Sequence, residues 1–76
     1  MNKARREDIQ KAIDLMFEAR MIIGWCKDDE EDAFDNLPES IQMSERGEQM
    51  ESNVEAMDEC IDYLESVEDA LSEIIG

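Results

Sequence analysis

The side chains of this chain that could do chemistry are almost all carboxylates. Its 76 residues include 22 Asp and Glu against 7 Lys and Arg, which gives a formal net charge of −15, and there are two cysteines and no histidine. Without histidine, Ser-His-Asp triads, Cys-His pairs and imidazole-dependent zinc sites are excluded. No nucleophile–base pair stands out among the carboxylates. The composition therefore predicts a binding protein that is not an enzyme and needs no cofactor.

The densest acidic run is Asp28, Asp29, Glu30, Glu31 and Asp32. It lacks the alternating ligands and the central glycine of an EF-hand loop, so it predicts a solvated acidic helix end and no metal site. The net charge argues against direct binding to nucleic acid or to an anionic membrane. No apolar run approaches the eighteen residues of a membrane span.

Two cysteines are too few to cross-link a small secreted protein. We expect Cys26 and Cys60 to be reduced, buried small hydrophobes in a cytoplasmic protein.

Residues 3–35 carry the spacing of a helix. Apolar side chains recur every three or four residues and share one face: Ile9, Ala12, Ile13, Met16, Ala19, Ile23, Cys26, Ala33 and Phe34. Gly24 interrupts this helix at a cost of about 1 kcal/mol relative to alanine. We interpret it as a kink or as a place where another backbone comes close.

Residues 36–44 form a short connection that contains the one proline, Pro38. Proline disfavours helical geometry at Leu37, and one helical turn can follow it. Asn36 and Glu39 have the spacing of a capping box, and Ser44 offers an N-cap for the next helix.

Residues 45–75 form the second long helix. Its apolar positions alternate in steps of four and three, with Glu68 as the one polar member of the seam: Met50, Val54, Met57, Ile61, Leu64, Leu71 and Ile75. Cys60, Val67 and Ile74 add a flanking row, so the stripe is wider than a two-stranded seam needs.

Two helices of about thirty residues, or about 45 Å, joined by a short connection predict one domain over residues 1–76. We expect an all-α antiparallel two-helix hairpin that dimerises into a helical bundle. Residues 1–27 carry a net charge of +2 and residues 28–76 carry −17, so the two helices attract each other.

A second apolar row lies on roughly the opposite side of the first helix, at Phe17, Met21 and Trp25, and a hairpin cannot cover it. Exposed rows of this size mark interfaces. One interpretation is self-association into a four-helix bundle. The other is a docking face for a foreign protein, with the acidic residues 28–32 beside it.

The acidic surface has two interpretations as well. It can occupy a basic groove built for phosphate, as a DNA mimic does, because the same electrostatic steering brings nucleic acid there. It can equally serve solubility alone.

The segment Phe34-Asp35-Asn36-Leu37-Pro38-Glu39-Ser40, followed by Ser44-Glu45-Arg46 and acidic heptads up to Glu65, resembles small acidic helical proteins of bacteriophages and prophages. Most of these proteins have no assigned function, but small acidic phage proteins often inhibit host defence or nucleic-acid enzymes, anti-CRISPR proteins included. The resemblance implies an inhibitor that binds a bacterial host protein with a basic surface in the host cytoplasm. The alternative is a homo-oligomeric structural or scaffolding module without inhibitory activity.

Overall fold

The computed structural model describes all residues from Met1 to Gly76, and every regular element in it is a helix. Helix α1 spans Lys3–Asp35, α2 spans Glu39–Gln42 and α3 spans Glu45–Ile75. The predicted all-α class is confirmed. The molecule is a rod with extents of 58 × 15 × 13 Å. None of its helices has both the length and the hydropathy that a bilayer crossing requires.

The two long helices lie side by side and run in opposite directions. Their polar contacts pair Arg20 with Glu68, Lys27 with Asp58, and Glu30 with Asn53, so the α3 number falls as the α1 number rises. The strips that face each other are half-buried: Ile9, Ile13, Met16, Ile23 and Phe34 on α1, and Met50, Val54, Met57, Ile61, Leu64, Leu71 and Ile75 on α3. No apolar side chain is fully buried. One chain therefore forms only one layer of a core.

The ends of α1 are satisfied by amide side chains. The Asn2 side-chain oxygen accepts a hydrogen bond from the backbone N–H of Arg5 at 2.8 Å, which caps the first turn. At the other end, the Gln42 side-chain amide donates to the backbone carbonyl of Phe34 at 3.0 Å. This bond ties α2 to the last turn of α1, where carbonyl groups lack helical partners.

The caps of the connection differ from the prediction. Asn36 ends α1 in a helical conformation, and Pro38, which has no side-chain oxygen, stands at the start of α2, so the capping-box prediction is wrong. Ser44 does stand at the N-cap of α3, but its hydroxyl donates to the carbonyl of Ile41 and accepts nothing from α3. The Ile41 carbonyl also accepts the backbone N–H of Ser44, so both donors of Ser44 are directed to the last turn of α2.

The two helical glycines have opposite surroundings. A Cβ added at Gly24 would meet open space, so the predicted close backbone approach at Gly24 is wrong, and α1 continues through it unbroken. The close approach occurs instead at the buried Gly47, in the first turn of α3, where a Cβ would overlap the backbone carbonyl of Gln42. Gly47 therefore lets the chain turn from α2 into α3 at short range.

Candidate functional site

The row of Phe17, Met21 and Trp25 is exposed on the outer side of α1. The exposed fractions are 49%, 42% and 60% respectively, which is high for side chains of this size. Together with Glu18 and Ile22, the row lines a shallow hollow of about 300 Å³. The row is a continuous apolar strip, since its members are four residues apart on one helix.

Arg20 connects the inner end of this row to α3. Its guanidinium carbon lies 5.2 Å from the centroid of the Phe17 ring, within the range of a cation–π contact. Its Nε and Nη2 atoms donate to the two carboxylate oxygens of Glu68 at 2.5 and 3.1 Å, and Nη1 donates to Glu65 at 3.1 Å. The hydrogen bond that Arg20 donates to Glu68 is the main reason that the pKa of Arg20 is raised. The Phe17 ring thus packs against a cation that is fixed from the other helix.

A second cross-helix ion pair lies seven residues further along α1. The Lys27 ammonium is 3.0 Å from a carboxylate oxygen of Asp58, and that hydrogen bond raises the pKa of Lys27. Neither ion pair was predicted from the sequence. The sequence does contain an indication of them, because Arg20 and Lys27 lie in the strip of α1 that faces α3, and Glu68 is the one polar residue of the α3 seam.

The five acidic residues that follow the row do not form one surface. Asp28, Asp29 and Asp32 come three, four and seven residues after Trp25, so they continue the row's side of α1. All three are exposed.

Glu30 and Glu31 point elsewhere. The Asn53 amide of α3 donates to Glu30 at 3.0 Å, and Glu31 lines a groove between α1 and α3 with Phe34 and Glu51. The structure therefore brings together Phe17, Met21 and Trp25 with three of the five predicted carboxylates.

The remaining groups with potential chemistry stand apart. Cys26 and Cys60 are free thiols and both are exposed, so the prediction of buried cysteines is wrong. On each helix, the cysteine lies beside the half-buried strip that faces the other helix and is not part of it. No three carboxylate or thiol side chains are placed to hold a metal ion together.

No family model, no curated protein and no solved structure matches this chain.

Proposed function

We propose that this chain is a protein-binding module, an antiparallel helical hairpin whose outer row on α1 docks onto a partner with a basic surface. The observation that supports this is the exposed strip of Phe17, Met21 and Trp25 running directly into Asp28, Asp29 and Asp32. Tryptophan is among the residues most enriched at the centres of protein interfaces. A large aromatic that is 60% exposed gains most when a partner removes it from water.

The chemistry of the partner follows from the carboxylates. A protein that covers Trp25 brings its own side chains within reach of Asp28, Asp29 and Asp32, none of which forms an ion pair within the chain. Lysine and arginine at the rim of the partner's apolar contact would be attracted there, and acidic residues would be repelled. Electrostatic attraction of this kind raises the association rate and weakens as salt rises.

The class of partner that we propose is a bacterial defence or nucleic-acid-handling protein, with this chain as its inhibitor. The resemblance to small acidic phage proteins supports this class, together with the second acidic area. That area is a groove between the long helices that carries four carboxylates, those of Glu31, Asp35, Glu51 and Glu55. Carboxylates spaced along a rod of 58 Å compete with nucleic acid for a basic channel.

A homo-oligomeric structural module is the second candidate function. The observation that favours it is the lack of any fully buried apolar side chain in a single copy. A chain this short gains stability when a second layer covers its exposed apolar surface. On this alternative, assembly with itself is the whole function and no foreign partner binds.

Affinity capture from bacterial lysate tests the proposal, followed by titration with the purified captured protein. Wild type is compared with the triple variant Phe17→Ala, Met21→Ala, Trp25→Ala, and with Met43→Ala as a matched control, because Met43 is 77% exposed and lies outside the row. Trp25 is the only tryptophan, so its fluorescence reports on the row directly. We expect the triple variant to lose binding and Met43→Ala to keep it, with circular dichroism showing equal helicity.

Salt tests the carboxylates separately. We expect wild-type affinity to fall steeply up to about 1 M salt, where the screening length is about 3 Å. The variant Asp28→Asn, Asp29→Asn, Asp32→Asn should bind more weakly at low salt and show a flatter salt dependence. Capture by wild type and triple variant alike, or an unchanged Trp25 emission in the complex, would contradict the proposal.

A further inference from the structure

A second apolar surface runs along one broad side of the helix pair, and it meets the Phe17 row at Ile22. On α3, six exposed positions alternate in steps of four and three: Ala56, Cys60, Tyr63, Val67, Ala70 and Ile74. On α1, four positions follow the same steps: Leu15, Ala19, Ile22 and Cys26. The largest of these side chains are well exposed, Tyr63 at 67% and Leu15 at 59%. We name these ten positions the uncharged face.

The two strips border the same side of the molecule. Cys26 of α1 and Ala56 of α3 line one groove between the helices, together with Asn53 and Met57. Residues three and four apart lie on the same face of a helix, so each strip continues from that groove along the same side of the molecule. The groove on the opposite side is lined by carboxylates and by Phe34 and Val54. We name that side the acidic face.

The uncharged face differs from the rest of α3, which is rich in acidic residues. Helix α3 has 31 residues, of which eleven are acidic, yet none of its six positions on the uncharged face carries a charge. The face ends at Asp29 and Glu30, where carboxylates border the groove. On a chain of net charge −15, this is the one broad side on which a second copy can approach with little repulsion.

We infer that the uncharged face is the interface with a second copy of this chain, which makes a four-helix bundle. The inference goes beyond the proposed function, because it adds a self-association surface, and it leaves the Phe17 row outside the interface. Both strips keep the four-three spacing that bundle layers require. A second layer on this side also completes the core that one chain lacks, since the half-buried seam between α1 and α3 lies directly beneath it.

The size of the face fits a small, weak dimer. The α3 strip spans nineteen residues from Ala56 to Ile74, about 27 Å, and the α1 strip spans twelve residues from Leu15 to Cys26, about 17 Å. With about 9 Å of width for each helix, the flat area is roughly 400 Å² on each copy and roughly 800 Å² in total, below the roughly 1,200–2,000 Å² of standard specific interfaces. Because side chains protrude from the helices, the buried surface area is larger than this flat area.

Charge selects one arrangement of the two copies. Helix α3 carries eleven acidic residues against Arg46 alone, whereas residues 1–27, which include most of α1, carry a net charge of +2. Placing α3 on the partner's α3 opposes two acidic helices. Placing α1 of each copy on α3 of the other brings unlike charges together, and every helix then has antiparallel neighbours.

A matched pair of aromatic substitutions tests which surface is the interface. Tyr63→Glu places a charge on the uncharged face, and Trp25→Glu places the same charge on the Phe17 row. Sedimentation equilibrium should show a wild-type dimer, a loss of dimer affinity of about 30-fold or more for Tyr63→Glu, and no loss for Trp25→Glu. A monomeric wild type, or a dimer that Trp25→Glu breaks and Tyr63→Glu does not, would overturn the inference. Loss of foreign-partner binding by Trp25→Glu alone would support the proposed function independently.

The native thiols test the arrangement without a disruptive substitution. Cys26 and Cys60 lie on the uncharged face, one on each helix. Cys26→Ser and Cys60→Ser variants are treated with a short flexible bismaleimide, each alone and as an equal mixture. We expect covalent dimers from the mixture, through Cys60 of one variant and Cys26 of the other, and none from either variant alone. Cross-linking of one variant with itself, or of no sample, would overturn the placement of α1 on the partner's α3.

Discussion

The two broad sides of the helix pair are built from the same two helices and have opposite chemistry. On the uncharged face, α3 presents Ala56, Tyr63 and Ala70 at seven-residue intervals. On the acidic face the same interval gives Glu51, Asp58 and Glu65. In α3, charge is therefore sorted around the helix. The two proposals made above use this difference: a second copy is expected on the uncharged side, and basic groups are expected to be attracted to the acidic side.

The acidic face also contains a tightly constrained backbone position, Gly47, and Gly47→Ala gives the largest effect that we expect there. Gly47 precedes Glu51 and Val54 on that side by four and seven residues. Alanine gains about 1 kcal/mol in helix propensity but overlaps the Gln42 backbone, and such overpacking costs about 1–3 kcal/mol. We expect a net loss of stability in urea denaturation. An unchanged or raised midpoint would show that α2 can move away freely.

Gly24→Ala is the matched opposite case. Gly24 lies seven residues before Glu31 on the acidic face, and its missing Cβ faces open space. We expect stability to rise by up to about 1 kcal/mol, because alanine restricts the unfolded chain and favours the helix. The oligomeric state should stay that of wild type, since the uncharged face is untouched. A loss of stability in the same urea experiment would mean that Gly24 has a packing role.

Neutralising the acidic face should have a smaller effect. Glu51 and Glu55 are like charges four residues apart, and their repulsion costs about 0.2–0.5 kcal/mol in a helix. The Glu51→Gln, Glu55→Gln variant should melt slightly higher than wild type at low salt and equally at high salt. Glu45→Gln is the control, because a carboxylate in the first turn of α3 is stabilised by the helix dipole. It should melt slightly lower.

The smallest effect concerns pH and the Lys27–Asp58 pair that faces the acidic side. The pKa of Lys27 is raised above 10.5 in the folded chain by its bond to Asp58. The contribution of Lys27 to stability is therefore complete below its unfolded pKa of about 10.4 and is lost as the pH rises through the folded value. Lys27→Met should melt lower than wild type at neutral pH and approach it as the pH rises through the raised pKa of Lys27.

Lys27→Arg is the control for this titration. Arginine keeps its charge to higher pH, so this variant should not lose the contribution of the pair in the same alkaline range. Tyr63 and both thiols are common to all three proteins and cancel in the comparison. Parallel melting curves for wild type and Lys27→Met at every pH would contradict the assigned contribution.

Periodicity was enough to predict the helical class and the exposed row, because steps of three and four residues decide which side chains share a face. Periodicity within one helix does not say which strips of two helices meet at one side. For this reason the sequence alone led us to treat Cys60, Val67 and Ile74 only as a widening of the α3 seam. The packed pair adds the groove that Cys26 of α1 and Ala56 of α3 line together, and this groove relates a strip on each helix to one side of the molecule.

The errors at the connection have a different cause. Capping rules describe one helix at a time, whereas Asn36, Pro38 and Ser44 serve three helix ends within nine residues. There the choice of hydrogen-bond partner depends on which carbonyl is left free by the neighbouring turn. Gly47 was overlooked for a similar reason, since its importance comes from Gln42 in a separate element.

The bond between Arg20 and Glu68 affects which alignments of the two long helices are favourable. Heptad seams look alike after every seven residues, so two such helices can slip past one another by one repeat and still match apolar strips. A slip of seven residues would face Arg20 with Ile61 or Ile75 and would leave a charge without its partner among apolar side chains. The Arg20–Glu68 pair therefore fixes the register of the two long helices, because it makes alignments that are shifted by one heptad costly.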